Sequence, residues 1–351
     1  VGAGFSAPVN MPLWKPLLKQ LVKDIRGPSR NAELLSYAGK CIREGFLPRA
    51  ASALRRGAPG LIDAQLRTIF DSDKLNKLPA TNKTRIEMVE RLDALIALPW
   101  VGIITTNYDT LIDEYVNDRG RKGRWESIGS VPSDICRALK SNKKRFLIHL
   151  HGSVAQGRMI LSEEDYDETY LDSSSIQSIL RAILLRYTVV FIGTQVEDRF
   201  VEYKRHLQLL FRDRGTTGGG PPLSPEYVLL PRTERQRAKY LEETGGFGVL
   251  YYDNATKKHE GLIPLLREIR SRLESGVAGL DEINERLEAI VKKRSPARAE
   301  EILRDFWASP PKNHAKFRNL NERELTYRLY YLVVRKKLVY NEGPETFQPA
   351  G

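Results

Sequence analysis

Over most of the first hundred positions, apolar residues recur every three or four places, the spacing of one helix face. Leu17, Leu18, Leu21, Val22 and Ile25 form such a stripe in a predicted helix from Lys15 to Arg26, closed by Gly27-Pro28-Ser29. Ala32, Leu34, Leu35, Ala38, Cys41 and Ile42 form a second stripe, and Leu61, Leu66, Ile69 and Phe70 a third. Ile86, Val89, Leu92, Leu95 and Ile96 form a fourth, so residues 29–97 read as almost wholly helical.

From position 100 the pattern changes. Val101 to Thr106 is a short β-branched run flanked by Pro99 and Asn107, and predicts a strand. A helix follows from Asp109 to about Asn117, and a strand from Arg145 to Leu150. Ser162 caps a helix whose first turn is Glu163-Glu164-Asp165. Ser175 to Tyr187 predicts a helix, and the continuous apolar run from Thr188 to Thr194 predicts a buried parallel strand. A helix over 197–211 and a Gly- and Pro-rich loop over 212–225 come next. Tyr227–Leu230 and Gly248–Tyr252 read as strands, Thr233–Glu243 and Gly261–Leu273 as helices.

Such alternation means a mostly parallel sheet covered on both faces. The chain opens on Gly2-Ala3-Gly4-Phe5-Ser6-Ala7, the form of a tight turn from a first strand into a helix. An apolar strand is therefore expected ahead of Val1. The expected fold is α/β: a Rossmann-like, mostly parallel sheet in residues 1–273 with a helical insertion at about 12–97 after the first strand. A small, mainly helical module over 274–351 completes it, with helices at 285–291, 299–307 and 323–337 and a hairpin at 338–348, an order compatible with a winged helix.

Composition narrows the class. Among 351 residues, 41% are hydrophobic and 28% charged, as in a water-soluble globular chain. No run approaches the roughly 20 apolar residues that span a bilayer. Two cysteines, Cys41 and Cys136, supply neither a disulfide framework nor a zinc ribbon, and a reducing cytoplasm is expected. The net charge of +12 allows anionic partners. Between 312 and 337, eight basic residues stand against two acids. That run is either a face that approaches a phosphate backbone or a solvated face on a helical dimerisation tail.

In open α/β sheets the ligand lies at the carboxyl ends of the strands. There the chain places Gly2-Ala3-Gly4-Phe5-Ser6, Thr106-Asn107-Tyr108-Asp109, His151-Gly152, and Gly193-Thr194 with Asp198 soon behind. Gly2 suits a tight turn, and Gly4 a close approach of main chain to a pyrophosphate. Asn107 and Asp109 can alternatively cap the helix that follows, and His151 can be a satisfied core histidine. An ordinary dinucleotide-binding unit would carry a second strand ending in an acid about 20 residues after the glycines. Here Asp24 falls inside a helical pattern, which argues against a plain dehydrogenase.

Taken in order, these elements resemble those of the sirtuin superfamily. Gly2-Ala3-Gly4-x-Ser6 is similar to its phosphate turn, and Thr106-Asn107-Tyr108-Asp109 to its Gln-Asn-Ile-Asp element. Leu150-His151-Gly152 is similar to the Leu-His-Gly element with the catalytic histidine, and Phe191-Ile192-Gly193-Thr194 to the Val-Gly-Thr-Ser element. The resemblance spans 1–273. Two departures stand out. Deacylating sirtuins carry four zinc-binding cysteines after Leu-His-Gly, whereas no cysteine follows Cys136. Met11-Pro12-Leu13-Trp14 stands where deacylases have Pro-x-Phe-Arg. The Pro12-Leu13-Trp14 segment, Thr106-Asn107-Tyr108-Asp109 and the helical insertion are similar to those of a bacterial sirtuin-like branch that hydrolyses NAD in anti-phage defence.

The resemblance implies NAD as substrate and no metal. It implies that Asn107, His151 and Asp109 are catalytic, Asn107 holding the ribose and the attacking water. His151 would be the general base, as its ordinary pKa of about 6.5 suits proton transfer near neutrality. Asp109 would orient the Asn107 loop or meet nicotinamide-side groups. Gly2, Ala3, Gly4, Ser6, Trp14, Thr106, Gly193, Thr194 and Asp198 would contact the nucleotide. A homo-oligomer or regulatory partner protein is expected as a switch, and nucleic acid is a candidate partner through 312–337. The rival readings are a silent sensor of NAD or ADP-ribose, a deacylase and a DNA-binding regulator.

Overall fold

A computed structural model of the chain describes residues 1–25, 30–71, 73–118, 125–140, 145–156, 159–171, 174–194, 226–255, 259–308, 338–341 and 346–349. The expected helices at 197–211 and 323–337, the loop at 212–225, Asp198 and the basic run at 312–337 lie outside the described residues. The described residues fall into two compact units, one reaching Leu266 and the other starting at Arg267.

Among its described residues the first unit holds six helices of the insertion: α1 (Trp14–Asp24), α2 (Ala32–Glu44), α3 (Leu47–Gly57), α4 (Leu61–Ile69), α5 (Asp73–Asn76) and α6 (Lys83–Ile96). Most of their predicted stripe residues are buried, but Ala32, Leu61 and Ile86 are exposed, and Met88 and Arg91 share the buried face of α6. Leu17, Leu18 and Leu21 of α1, Leu35, Ala38, Cys41 and Ile42 of α2, and Leu66 and Ile69 of α4 are all buried. Asn31 caps α2 and Asn82 caps α6 through their side-chain oxygens, and Gly45 closes α2 in the left-handed conformation.

Among the described residues, six parallel strands follow in two sheets. The first is ordered β1 (Gly102–Thr105), β3 (Arg145–His149), β2 (Trp125–Ile128). The second is ordered β4 (Val189–Ile192), β5 (Glu226–Pro231), β6 (Gly248–Tyr252). Val1 and Gly2 bridge them. The Val1 nitrogen donates to Ile104 O at 2.6 Å, Thr106 N donates to Val1 O, and Gly2 N donates to Ile192 O. The covering helices are α7 (Leu111–Asp118), α8 (Pro132–Lys140), α9 (Glu163–Tyr166), α10 (Ser174–Arg186) and α11 (Arg235–Gly245). Phe146 and Ile148 alternate with Leu147 and His149 along β3. The first pair packs with Ile135, Ile176, Ile179 and Ile183 of α8 and α10, so His149 turns to the other face. Val228 and Leu230 of β5 pack on Ala238 and Leu241 of α11. The core is thus the expected α/β, Rossmann-like arrangement with a helical insertion.

Three expectations change. The glycine turn does not run into an α-helix; it enters two one-turn 3-10 segments, Ala3–Phe5 and Ala7–Val9. Asn10 is left-handed (φ 61°), and Pro8 and Pro12 lack the amides a continuous helix needs, so α1 waits until Trp14. The strand β2 and the helix α8, in a stretch with weak apolar periodicity, have no counterpart among the sequence expectations. Finally, the helix expected to end at Leu273 continues as α12 (Leu262–Arg294) through Gly276 and Gly279. Each glycine costs about 1 kcal/mol of helix propensity, a penalty that tertiary context can override.

In the second unit, β7 (Ala297–Arg298) leads into α13 (Ala299–Ala308), and β7, β9 (Thr346–Pro349) and β8 (Leu338–Asn341) form an antiparallel sheet in that order. The expected strands at 338 and 346 pair with Tyr340 opposite Phe347. Leu287, Val291, Ile302, Phe306 and Leu338 are buried.

Candidate active site

The strand ends of β1, β3 and β4 and the opening turn meet through their backbones: Gly2 N donates to Ile192 O, Thr106 N to Val1 O and Leu150 N to Thr105 O. Thr105, the last residue of β1, is buried, and its hydroxyl accepts from Asn107 N at 3.1 Å. That bond turns the chain so that Asn107 Nδ2 donates to Ser6 Oγ at 3.1 Å. Asp109 follows, its Oδ1 accepting from Leu111 N at 3.3 Å to start α7. The loop after β3 runs alongside: Leu150 N donates to Thr105 O and Val154 N to Tyr108 O.

Asn107 and Asp109 are 6% and 4% exposed, yet Asn107 Oδ1 and Asp109 Oδ2 are buried without a hydrogen-bond partner. Buried acceptors are nearly always paired; among the described residues these are two of eight buried side-chain atoms left without a hydrogen-bond partner, and Trp14 Nε1 is another. Burial pushes the Asp109 carboxyl up to about 6, against the opposing pull of the Ser6 hydroxyl, the Leu111 amide and the His149 imidazole.

Behind the pair lies a histidine that the sequence reading passed over. His149 is 1% exposed; its Nε2 is 2.8 Å from Asp113 Oδ2 and its Nδ1 3.4 Å from Asn107 O. Burial opposes its protonation, but the Asp113 carboxylate and the Asn107 carbonyl outweigh it and raise its pKa. The signal available in the sequence was its place at the end of a strand, two residues before His151.

His151 lies in the loop after β3, and its carbonyl accepts from Ile160 N at 2.9 Å. Its ring meets Tyr166 edge-on, centroids 5.3 Å apart, and Tyr166 in turn stacks on Trp14 at 5.7 Å. Desolvation pushes the half-buried His151 imidazole down to about 4, so the ring is neutral at pH 7 and a weaker base than its ordinary value of about 6.5 would make it.

The glycine elements meet backbone to backbone. Gly4 N donates to Gly193 O at 2.7 Å, and Gly193 has φ +62°. A Cβ on Gly2 would lie 2.6 Å from Thr194 Cβ, and one on Gly193 2.4 Å from Phe5 N. Ala3 O accepts from Ser6 N, closing the first 3-10 turn. Beneath it Arg91 of α6, fully buried, donates to Phe5 O at 3.2 Å and to His259 O at 3.0 Å, so the insertion supports the turn from below. Of the expected site residues, the structure joins Ser6, Asn107 and Asp109 in one cluster, Gly2, Gly4, Gly193 and Thr194 in another, and His151 with Trp14 through Tyr166. Thr106 bonds to Val1 through its amide.

Among the described residues, no group of three or more His, Cys, Asp or Glu is placed to hold a metal ion, and no helix is long and apolar enough to cross a membrane.

Comparison with known proteins places a SIR2-like domain over residues 101–246, the segment that holds Asn107, Asp109, His151, Gly193 and Thr194. The chain is 26% identical over 202 residues to defence-associated sirtuin 2 of Bacillus subtilis, covering 56% of this chain and 18% of that protein. It is 24% identical over 250 residues to the NAD(+) hydrolase ThsA of Cytobacillus dafuensis, covering 69% of this chain and 48% of that protein. The chain therefore spans less than a fifth of the first relative and about half of the second.

Proposed function

We infer that the chain is an NAD glycohydrolase that releases nicotinamide and ADP-ribose. The observation that carries this reading is the pair of buried, unpartnered acceptors, Asn107 Oδ1 and Asp109 Oδ2, beside Ser6. A ribose offers hydroxyl donors of the kind such acceptors lack. The SIR2-like match and the name of the second relative, an NAD(+) hydrolase, support NAD as the nucleotide.

In the proposed reaction, the bond from ribose C1′ to the pyridinium nitrogen breaks and its electron pair leaves with neutral nicotinamide. The resulting transition state has oxocarbenium character, as in other glycoside cleavages. A water oxygen attacks C1′ and gives its proton to the neutral ring of His151, which passes it to solvent. Asn107 holds the ribose and the water, and Asp109 accepts a ribose hydroxyl. Gly2, Ala3, Gly4, Ser6, Thr106, Gly193 and Thr194 line the nucleotide, with Trp14 on the nicotinamide side and Asp198, outside the described residues, as a further contact. The cellular role that fits is the effector of an anti-phage system, held off by self-association or a partner protein until triggered.

Calorimetric titration with NAD, followed by chromatography of the same sample, tests the reading. The expected result is heat of binding followed by equal amounts of nicotinamide and ADP-ribose. Binding with no products would make the chain a sensor.

A further inference from the structure

Tyr166 stands outside the four strand-end elements, yet its ring touches both His151 and the insertion's Trp14. It meets His151 at an interplanar angle of 74° and lies nearly flat on Trp14 at 12°. Two constructions hold it there. Within its own turn, Ser162 and Asp165 form a reciprocal capping box, and Asp165 Oδ2 also accepts from Leu161 N at 3.0 Å.

From outside, α3 meets the same turn with three arginines against three consecutive acids. Arg49 lies 3.7 Å from Glu163, Arg55 3.2 Å from Asp165, and Arg56 pairs with Glu164. Ser52 Oγ accepts from Glu163 N at 3.0 Å. The two outer ion pairs are solvent-exposed and worth under about 1 kcal/mol each. The Arg55–Asp165 pair is largely covered, and Arg55 also donates to Met159 O at 2.7 Å, so it is the firmer tie. Directly after Tyr166 the chain enters a π-helical turn, Asp167–Leu171. That geometry is rare and concentrates at functional sites.

We propose that Tyr166 is the positioning residue for His151, fixing its ring and screening it from water, and that helix α3 of the insertion holds Tyr166 in place. The proposal rests on the NAD-cleavage reading above. It accounts for a base whose pKa is depressed by burial. Asp165 of α9, next to Tyr166 in sequence, pairs with Arg55 and accepts from the backbone of its own turn.

The test is a histidine-selective NMR titration of the full chain run beside steady-state NAD cleavage, for the wild type, Tyr166→Phe and Tyr166→Leu. The His151 signal is assigned from the spectrum of His151→Ala. Wild type and Tyr166→Phe should share a depressed His151 titration and similar turnover. In Tyr166→Leu the titration should move toward the ordinary value of about 6.5. Its kcat should fall about tenfold or more, with KM within about threefold, because a displaced base slows the chemical step rather than binding. Should Tyr166→Leu not fold, Tyr166→Met refills the volume with a flexible chain and reads the same shift. An unmoved titration overturns the proposal whatever happens to kcat, and leaves NAD cleavage by the wild type standing. A wild type that releases no nicotinamide overturns the cleavage reading and the positioning role with it.

Discussion

Asn107 Nδ2 donates to Ser6 Oγ across 3.1 Å, joining residues 101 positions apart in sequence. The bond ties the opening glycine turn to the end of β1, so the two halves of the proposed ribose site are set by one contact. Ser6→Ala removes the acceptor and leaves a buried amide unpaired, a loss of about 1–3 kcal/mol. Its kcat/KM for NAD should fall at least about tenfold, by the scale on which 1.4 kcal/mol is a factor of ten. Unchanged kcat/KM would detach Ser6 from the site.

Gly193→Ala should destabilise the first unit by about 2 kcal/mol or more, from a left-handed backbone without glycine and a Cβ pressed on backbone. The motive is its φ of +62° and the 2.4 Å approach to Phe5 N. The midpoint of urea unfolding measures this, and a shift smaller than that of an exposed-loop alanine substitution would contradict it.

Asp109 makes a signed prediction about pH. Its folded pKa, raised by burial to about 6 from 3.8, makes a contribution to stability that is complete below about pH 4 and lost as pH rises through 6. Asp109→Asn lacks that loss. Its stability relative to wild type should therefore improve between pH 4 and pH 7, by about 3 kcal/mol at 1.36 kcal/mol per unit. Denaturant midpoints at several pH values measure it; parallel curves for the two proteins would remove the buried, raised carboxyl from the account.

NAD cleavage should survive chelation. No cysteine follows Cys136, so the four-cysteine zinc set of deacylating sirtuins has no ligands here. Treatment with a strong chelator should leave the rate of nicotinamide release unchanged, and a loss restored by zinc would contradict this.

The basic run at 312–337 is proposed to contact a polyanion or an acidic partner. If DNA is that partner, affinity should fall with salt at a log–log slope of about −0.9 per phosphate contact. No DNA binding at low salt would leave a protein contact.

The helical insertion was legible because most of its stripe residues, at 17–25, 35–42 and 92–96, are buried on one face, and the strands were legible where apolar runs are continuous, as at 189–192. Asn107, Asp109 and His151 were legible as strand-end residues. The strand β2 was not, because Trp125-Glu126-Ser127-Ile128 is short and half polar. The 3-10 entry to the insertion was hidden because a glycine turn looks the same whether helix or prolines follow. His149, Arg91 and Tyr166 were missed for a common reason. Each acts through a partner distant in sequence, Asp113, Phe5 and His151 respectively, and local periodicity carries no trace of such pairs.

The most direct measurement of the central claim is nicotinamide release from NAD by the wild type and by Asn107→Ala, each first shown to be folded by circular dichroism. Removing the side chain that bears both the Ser6 contact and an orphan acceptor should abolish release while wild type proceeds to completion. Release by Asn107→Ala at the wild-type rate, or none by either protein, would contradict the account.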